Sequence, residues 1–399
     1  MLRMTETSQR MAQKAVRIRN TADAIAFLKD NPPFRTIKDI LIVADKQQMT
    51  EMELKKWIAD GICANHPEKK RDAVERTIRN WFTGKTRSIS RETAFELCLI
   101  MRLSVDEANH FMMRTCDEAI HWRNPKEIAW GYALEHGLSY AQTQALIDAV
   151  QSISPEKKAD TSADVFTHMI RAEVKESLQG TKEELLLFIR EKQALWGSFH
   201  NEAYTLFKKY LNLLEMATPD RANYERQKEE QEEAKKKNKE AQIVVEEKMS
   251  VDSILNTYFF SRWLSGSTHG DSIHKSIRAN WPDATVLSKM RNRSGGVDVS
   301  RKVLIMLFLA TNGDETAYRN RDSESDEDEP KTREQVFRDV YKRLNLMLSR
   351  CGFQPLDPRS PFDWIVLYCI CVEDVLETDQ RLNDMLSGLF CEPEGKNED

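Results

Sequence analysis

A residue pattern met early in the chain returns, in the same order, near its end. Asp72-Ala73, Thr77-Ile78-Arg79-Asn80, Thr83-Gly84 and Ser90-Arg91 are echoed by Asp283-Ala284, Lys289-Met290-Arg291-Asn292, Ser294-Gly295 and Ser300-Arg301. Upstream, the run Glu53 to Trp57 has its echo in Phe260 to Leu264. Downstream, Arg114, Cys116, Arg123-Asn124-Pro125 and Trp130 match Arg350, Cys351, Arg359-Ser360-Pro361 and Trp364. Composition alone does not keep so many matches in one order, so the chain reads as two copies of one unit. On this alignment Arg293 falls at the Trp81 position and Gly296 at the Lys85 position, which makes the second copy the degenerate one.

Both copies read as helical. Thr50 with Glu53, Ser104 with Glu107, Ser139 with Gln142 and Thr181 with Glu184 have capping-box spacing, in which two side chains satisfy the free amides of a helix start. No long run alternates apolar and polar residues with period two, so the expected fold class is all-α. Residues 1–35 read as an N-terminal arm or helix pair, 36–150 as the first helical bundle and 163–217 as a middle helical segment. The polar stretch Pro155 to Ser162 separates these last two. The aromatic residues Trp196, Phe199, Tyr204, Phe207 and Tyr210 read as the core of the middle segment. Residues 218–249 are a charged linker, and 250–392 are the second bundle, interrupted by an acidic insertion over 313–333.

Residues 71–91 carry the strongest local signal. Val74, Ile78 and Trp81 form one apolar stripe at helical spacing, while Arg76 and Arg79 point elsewhere. Gly84 stops the helix, a basic hydroxylated loop follows, and Ser90 caps the next helix. The run Thr77-Ile78-Arg79-Asn80-Trp81, then Gly84-Lys85, then Ser90-Arg91-Glu92-Thr93 and an apolar helix, resembles the lambda-repressor-like helix-turn-helix domain of xenobiotic-response-element-type regulators. The resemblance covers roughly residues 36 to 115. It implies that the helix ending before Gly84 is a recognition helix, and that Arg91 to Leu103 and Val105 to Met113 close the bundle. The preceding turn, Cys63 to Lys70, is longer than the tight turn of that family. The architecture expected is two helix-turn-helix-type bundles joined by the middle segment and the linker.

Charge points the same way. Residues 69–91 hold eight cations against two carboxylates, a net of +6 in a chain whose overall charge is −5. Such a local excess suits a polyanion. Arg76 and Arg79 are expected to reach base edges, with Glu75 a candidate acceptor for a cytosine amino group. Lys70 and Arg71 lead into the helix, and Lys85, Thr86, Arg87 and Ser90 are expected to hold phosphates. Lys289, Arg291 and Arg293, with Ser288, are the counterparts in the second copy. The expected function is a sequence-specific, DNA-binding transcriptional regulator with tandem modules and double-stranded DNA as partner. Two modules in one chain imitate the dimer that reads paired half-sites, so a monomer suffices and a homodimer is optional. The alternative is a non-enzymatic helical adaptor or scaffold, of the kind found in mobile-element or phage-defence pathways. It would bind a protein partner through the middle segment. The acidic overall balance and the acidic insertion favour it.

No signature of catalysis stands out. The chain lacks a P-loop, a His-Glu-x-x-His pair and a Gly-x-Ser-x-Gly elbow, and its eight histidines are dispersed. No catalytic residue, cofactor or metal site is expected. The seven cysteines are odd in number and lack zinc spacing, which fits free thiols in a reducing cytoplasm. The longest apolar run, Val303 to Ala310, is too short to span a bilayer, and residues 1–20 hold no signal-peptide pattern.

Overall fold

The computed structural model describes residues 6–30, 32–86, 89–153, 167–193, 196, 201–216, 254–255, 258–259, 272–278, 281–294, 297–311, 332–373 and 377–390. The helices of the first part are α1 (Glu6–Arg17), α2 (Thr21–Lys29), α3 (Ile37–Ala44), α4 (Glu51–Asn65), α5 (Arg71–Phe82) and α6 (Arg91–Ile100). Next come α7 (Val105–Cys116), α8 (Pro125–Glu135), α9 (Tyr140–Ile153), α10 (Thr167–Ser177), α11 (Lys182–Glu191) and α12 (Asn201–Met216). The last are α13 (Ser272–Arg278), α14 (Ala284–Arg291), α15 (Arg301–Ala310), α16 (Arg333–Arg350), α17 (Pro361–Cys369) and α18 (Thr378–Phe390). The fold is all-α, with no strand among the described residues. The charged linker, Arg87, Gly296, Cys391 and nearly all of the acidic insertion lie outside those residues.

The capping signals mark real helix starts. Thr50, Ser104 and Thr181 close reciprocal boxes with Glu53, Glu107 and Glu184. Ser139 does the same with Gln142. Thr36 with Asp39 and Thr332 with Gln335 add two more at the starts of α3 and α16. Each box satisfies amides that the helix itself leaves unpaired.

Two hydrophobic cores result, and they cut across the segments read from the sequence. Helices α3 to α9 bury the first core around Leu54, Ile58, Ile78, Phe95 and Ile128. The second forms around α15, which beyond Arg301 and Lys302 is apolar on every side and is buried along its whole length. Residues 6–30 are no free arm. Met11, Ala15 and Leu28 belong to the second core, and α1 and α2 pack on α17 and α18. Trp364 Nε1 donates to the Met11 carbonyl at 3.0 Å, and Arg333 and Arg381 donate to that of Ile18. The middle segment is likewise not one unit. Val174, Leu178, Leu185, Ile189 and Trp196 join the first core, whereas Ala203, Phe207, Tyr210 and Leu214 join the second. The pair α10–α11 is to the first unit what α1–α2 is to the second: α11 lies on α9 as α2 lies on α18. In chain order, then, the second unit begins before the first.

The duplication is visible in the hydrogen bonds. Arg91 opens α6 and makes a two-pronged pair with Glu127, the third residue of α8, at 2.9 and 2.7 Å. Arg301 opens α15 and does the same with Asp363, third in α17, at 2.9 and 2.7 Å. The carboxylates also accept equivalent amides, Glu127 from His121 and Asp363 from Asp357. Asn109 Oδ1 accepts the Ile120 amide, and Asn345 Oδ1 that of Leu356. The units meet where α7 and α16 end, each on a left-handed residue, Asp117 (φ 61°) and Gly352 (φ 77°). There Glu118 and Phe353 form an isolated antiparallel bridge, with Ala119 N donating to Gly352 O and Gln354 N to Asp117 O. The two bonds are related by the local twofold axis that any antiparallel bridge carries.

One register differs from the sequence alignment. After α5, Thr83 caps and Gly84 turns left-handed (φ 72°); after α14, Asn292 caps and Arg293 turns left-handed (φ 48°). Arg293 therefore stands at the Gly84 position, and buried Met290 takes the place of Trp81.

Candidate functional site

Helix α5 is held by its inner face. Val74, Ile78, Trp81 and Phe82 are buried against α3 and α4. Gly84 ends the helix in a conformation that favours glycine, and the Thr83 hydroxyl donates back to the Arg79 carbonyl at 2.9 Å. The outer face is left to solvent. Lys69, Lys70, Arg76, Thr77 and Arg79 are exposed. Arg76 and Arg79 have no ion-pair partner among the described residues, and they sit close to one turn apart.

Other members of the expected cluster are spoken for. Arg71 pairs with Asp60 and with Glu75, both at 2.8 Å, which also commits Glu75. Arg91, one of the eight cations counted in this stretch, turns inward to Glu127. Ser90 caps α6 by accepting the Thr93 amide. Lys85 and Thr86 line a cavity on the inner side of the loop.

The second copy presents no matching surface. Its helix α14 is shorter, and α12 lies across its end. Tyr204 Oη donates to the Arg291 carbonyl at 2.8 Å, and the Arg291 side chain pairs with Glu215 at 2.7 Å. Arg293 stacks on the Tyr204 ring, 3.8 Å from its centroid. Lys289 alone of the three expected cations stays exposed without a partner among the described residues. Arg301 and Lys302, the first two residues of α15, are interior residues. Lys302 donates to the Ile277 carbonyl at 2.8 Å beside the Trp281 and Phe362 rings, and burial lowers its ammonium to about 8.

Sequence reasoning missed the space between the units. A cavity of about 600 Å³ opens there. Its first-unit wall includes Arg35, Lys85, Arg91 and Arg114; its second-unit wall includes Arg301, Lys302 and Arg359. Four carboxylates face it, those of Asp117, Glu118, Asp357 and Asp363. Ion pairs stitch the units along its edge: Arg35 to Asp357 at 2.8 Å and Arg359 to Asp39 at 3.1 Å. Arg114, in the last turn of α7, has no such partner among the described residues. Burial and then the neighbouring Arg35 charge lower its pKa. Asp117 is open to solvent through the cavity yet enclosed by protein, and that enclosure raises its carboxyl toward the neutral form. No cluster of histidine, cysteine and carboxylate groups suited to a metal occurs among the described residues. Comparison of the chain with protein-family models, curated proteins and solved structures finds no match.

Proposed function

We propose that this chain is a DNA-binding regulator that reads double-stranded DNA with one helix, the outer face of α5. The observation that carries the reading is the pair Arg76 and Arg79, exposed and unpaired on a helix whose other face is locked into a core. Lys69 and Lys70 stand beside them at the helix start. Arginines on such a face suit guanine edges in the major groove, and the lysines suit the phosphates flanking it. The second unit, in which α12 engages Arg291 and Arg293 at the end of the corresponding helix, supports the first through the contact between the units. This narrows the tandem reading to a single reader. No helix among the described residues is long and apolar enough to cross a membrane.

Selection from a random-duplex pool at low salt, followed by gel shifts, tests it. Wild type is expected to enrich a motif, and Arg79→Ala to lose preference at one position of it. Failure to retard any duplex at low salt ends the proposal. The adaptor reading keeps one observation in its favour: Ile42, Val43 and Met52 are exposed where α3 ends and α4 begins. Salt-insensitive capture of a protein partner that Met52→Asp abolishes, without DNA retardation, would select it instead.

A further inference from the structure

We propose that Asn80 is a base reader, taking adenine in the major groove beside the guanine taken by Arg76. The inference rests on the DNA reading of α5 and adds a residue that the charge of the helix does not reveal.

Elimination leads to it. Among the polar side chains of α5 and its cap, Arg71 and Glu75 hold each other, with Asp60 as a further partner of Arg71. The Thr77 hydroxyl donates to the Ala73 carbonyl at 3.0 Å, and that of Thr83 to the Arg79 carbonyl at 2.9 Å. Asp72 stands in the first turn, where a carboxylate suits the helix dipole. Arg76, Arg79 and Asn80 are left, with no hydrogen bond or ion pair from their side chains among the described residues.

Asparagine at this position weakens the helix and gives the fold nothing in return. It is a poor helix former, because its amide competes for backbone groups in other conformations. The usual compensation is a cap or a turn, but Thr83 is the cap of α5 and Gly84 makes the turn. The second unit shows that compensation in place. Asn292, which the sequence pattern aligns with Asn80, is the C-cap of α14, and its amide donates to Ser288 Oγ at 3.5 Å. In the observed register Asn80 corresponds instead to Lys289, and Arg76 and Arg79 correspond to Thr285 and Ser288. The inward positions stay apolar and buried in both helices, Ile78 with Leu287 and Trp81 with Met290. The three unengaged positions differ together, so nothing in the packing calls for Arg76, Arg79 or Asn80.

Position and chemistry suit the role. Asn80 lies one turn beyond Arg76, and residues four apart on a helix share a face. Four residues rise about 6 Å along the axis and bases on one strand are about 3.4 Å apart, so the two side chains meet bases no more than about two steps apart. The backbone of Asn80 is held in place: its carbonyl accepts the Thr86 amide at 3.2 Å and the Thr83 hydroxyl at 3.4 Å. A reader fixed on a helix locked into its core is pre-organised. Its amide sets a donor beside an acceptor, which match N7 and the N6 amino group of adenine. The major-groove edges of the other bases do not offer that pairing.

The test uses the full chain and the duplex enriched from a random pool at low salt. Its motif is expected to hold an A·T pair within about two steps of the pair whose preference Arg76→Ala relaxes. Asn80→Ala should lower discrimination at that A·T pair by about tenfold or more and leave affinity for a random duplex nearly unchanged. Replacing that adenine with 7-deazaadenine, which lacks N7, should weaken wild type severalfold and leave Asn80→Ala unaffected. The variant should unfold in urea no earlier than wild type, because alanine is the better helix former. Failure to retard any duplex removes the DNA reading and this inference with it. Specific binding in which every A·T preference survives Asn80→Ala overturns this inference alone and leaves Arg76 and Arg79 as the readers. So does an equal effect of 7-deazaadenine on wild type and variant, or a marked loss of stability in Asn80→Ala, which would give the residue a structural role.

Discussion

Arg301 and Asp363 hold each other through two hydrogen bonds of 2.9 and 2.7 Å, in the place that Arg91 and Glu127 fill in the other unit. The second-unit pair is almost fully enclosed, with side chains 5% and 2% exposed, while Arg91 keeps 25%. Removing one partner of an enclosed pair strands the other charge, which costs about 3–5 kcal/mol. Asp363→Ala should therefore destabilise the protein by that amount in urea unfolding, and Glu127→Ala by less, because water still reaches Arg91. Combining Arg301→Met with Asp363→Leu should recover most of the loss. A cost below 1 kcal/mol for Asp363→Ala would mean that the pair does not pin the unit.

The interleaved chain order has a consequence for truncation. Leu28 is 1% exposed inside a core whose members outside residues 11–34 all lie beyond residue 200. Leu28→Ala should cost about 2–5 kcal/mol, as for other enclosed leucines. Deleting residues 1–30 should unfold α12 to α18 and leave α3 to α11 intact. Limited proteolysis with mass spectrometry should then return a resistant fragment spanning roughly residues 36–193. Survival of the C-terminal unit in that digest would show that α1 and α2 are dispensable.

Much of this was legible in local pattern. The stripe Val74-Ile78-Trp81, the Gly84 stop and four capping boxes are short-range signals, and each marks an observed feature. Long-range partnerships were not legible. Nothing in residues 6–30 says which core they join, because an amphipathic helix fits many apolar surfaces. The basic count over residues 69–91 overstated the surface charge, since Arg71 and Arg91 are neutralised by Asp60, Glu75 and Glu127. A usable signal for Arg91 lay in the repeat itself. Ser-Arg recurs with Pro-x-acid downstream, as Arg91 with Glu127 and Arg301 with Asp363, and opposite charges repeated together suggest a contact.

The salt dependence of binding should divide the cations of α5 by role. Lys70, if it meets a phosphate, contributes a released counterion, so Lys70→Ala should flatten the slope of log affinity against log salt by about 0.9 and weaken all duplexes alike. Arg79→Ala should cost about 1–3 kcal/mol on the preferred duplex and less on a random one. An equal loss on both duplexes for Arg79→Ala would make it a phosphate contact and leave base reading to Arg76 and Asn80.

Arg293 shows how the misaligned register arose and how to check it. A left-handed residue other than glycine, asparagine or aspartate carries a backbone cost of about 1 kcal/mol. Here the stack on Tyr204 at 3.8 Å works against that cost. Arg293→Ala keeps the strain and loses the stack; Arg293→Gly loses both. The glycine variant should therefore be the more stable of the two by about 1 kcal/mol, a difference readable in the urea midpoint. Equal stabilities would place this turn outside the left-handed region.

Acid should strengthen the contact between the units, because of Asp298. Burial raises its carboxyl from 3.8 to about 6; Oδ1 accepts the Val299 amide at 2.7 Å, and Oδ2 is enclosed with no hydrogen-bond partner among the described residues. The charges of His121 and Glu118 act on it across the interface, and that of Arg293 from its own unit. Folding thus favours the protonated form, so stability is highest below the unfolded pKa and falls as pH rises from about 4 to about 6. The loss is on the order of 2–3 kcal/mol if the unfolded group titrates normally. Asp298→Asn keeps the Oδ1 acceptor and removes the ionisation, so it should stabilise the neutral-pH protein and abolish this limb of the profile. A second limb should persist. For His121, burial opposes the imidazolium, but Glu127 and Glu118 outweigh it and raise the pKa. Its contribution is present below about 6.5 and is lost as pH climbs through the raised value. Urea midpoints of wild type and Asp298→Asn between pH 4 and 8 separate the two limbs. A wild-type profile that is flat from 4 to 6 would mean that Asp298 meets water in solution.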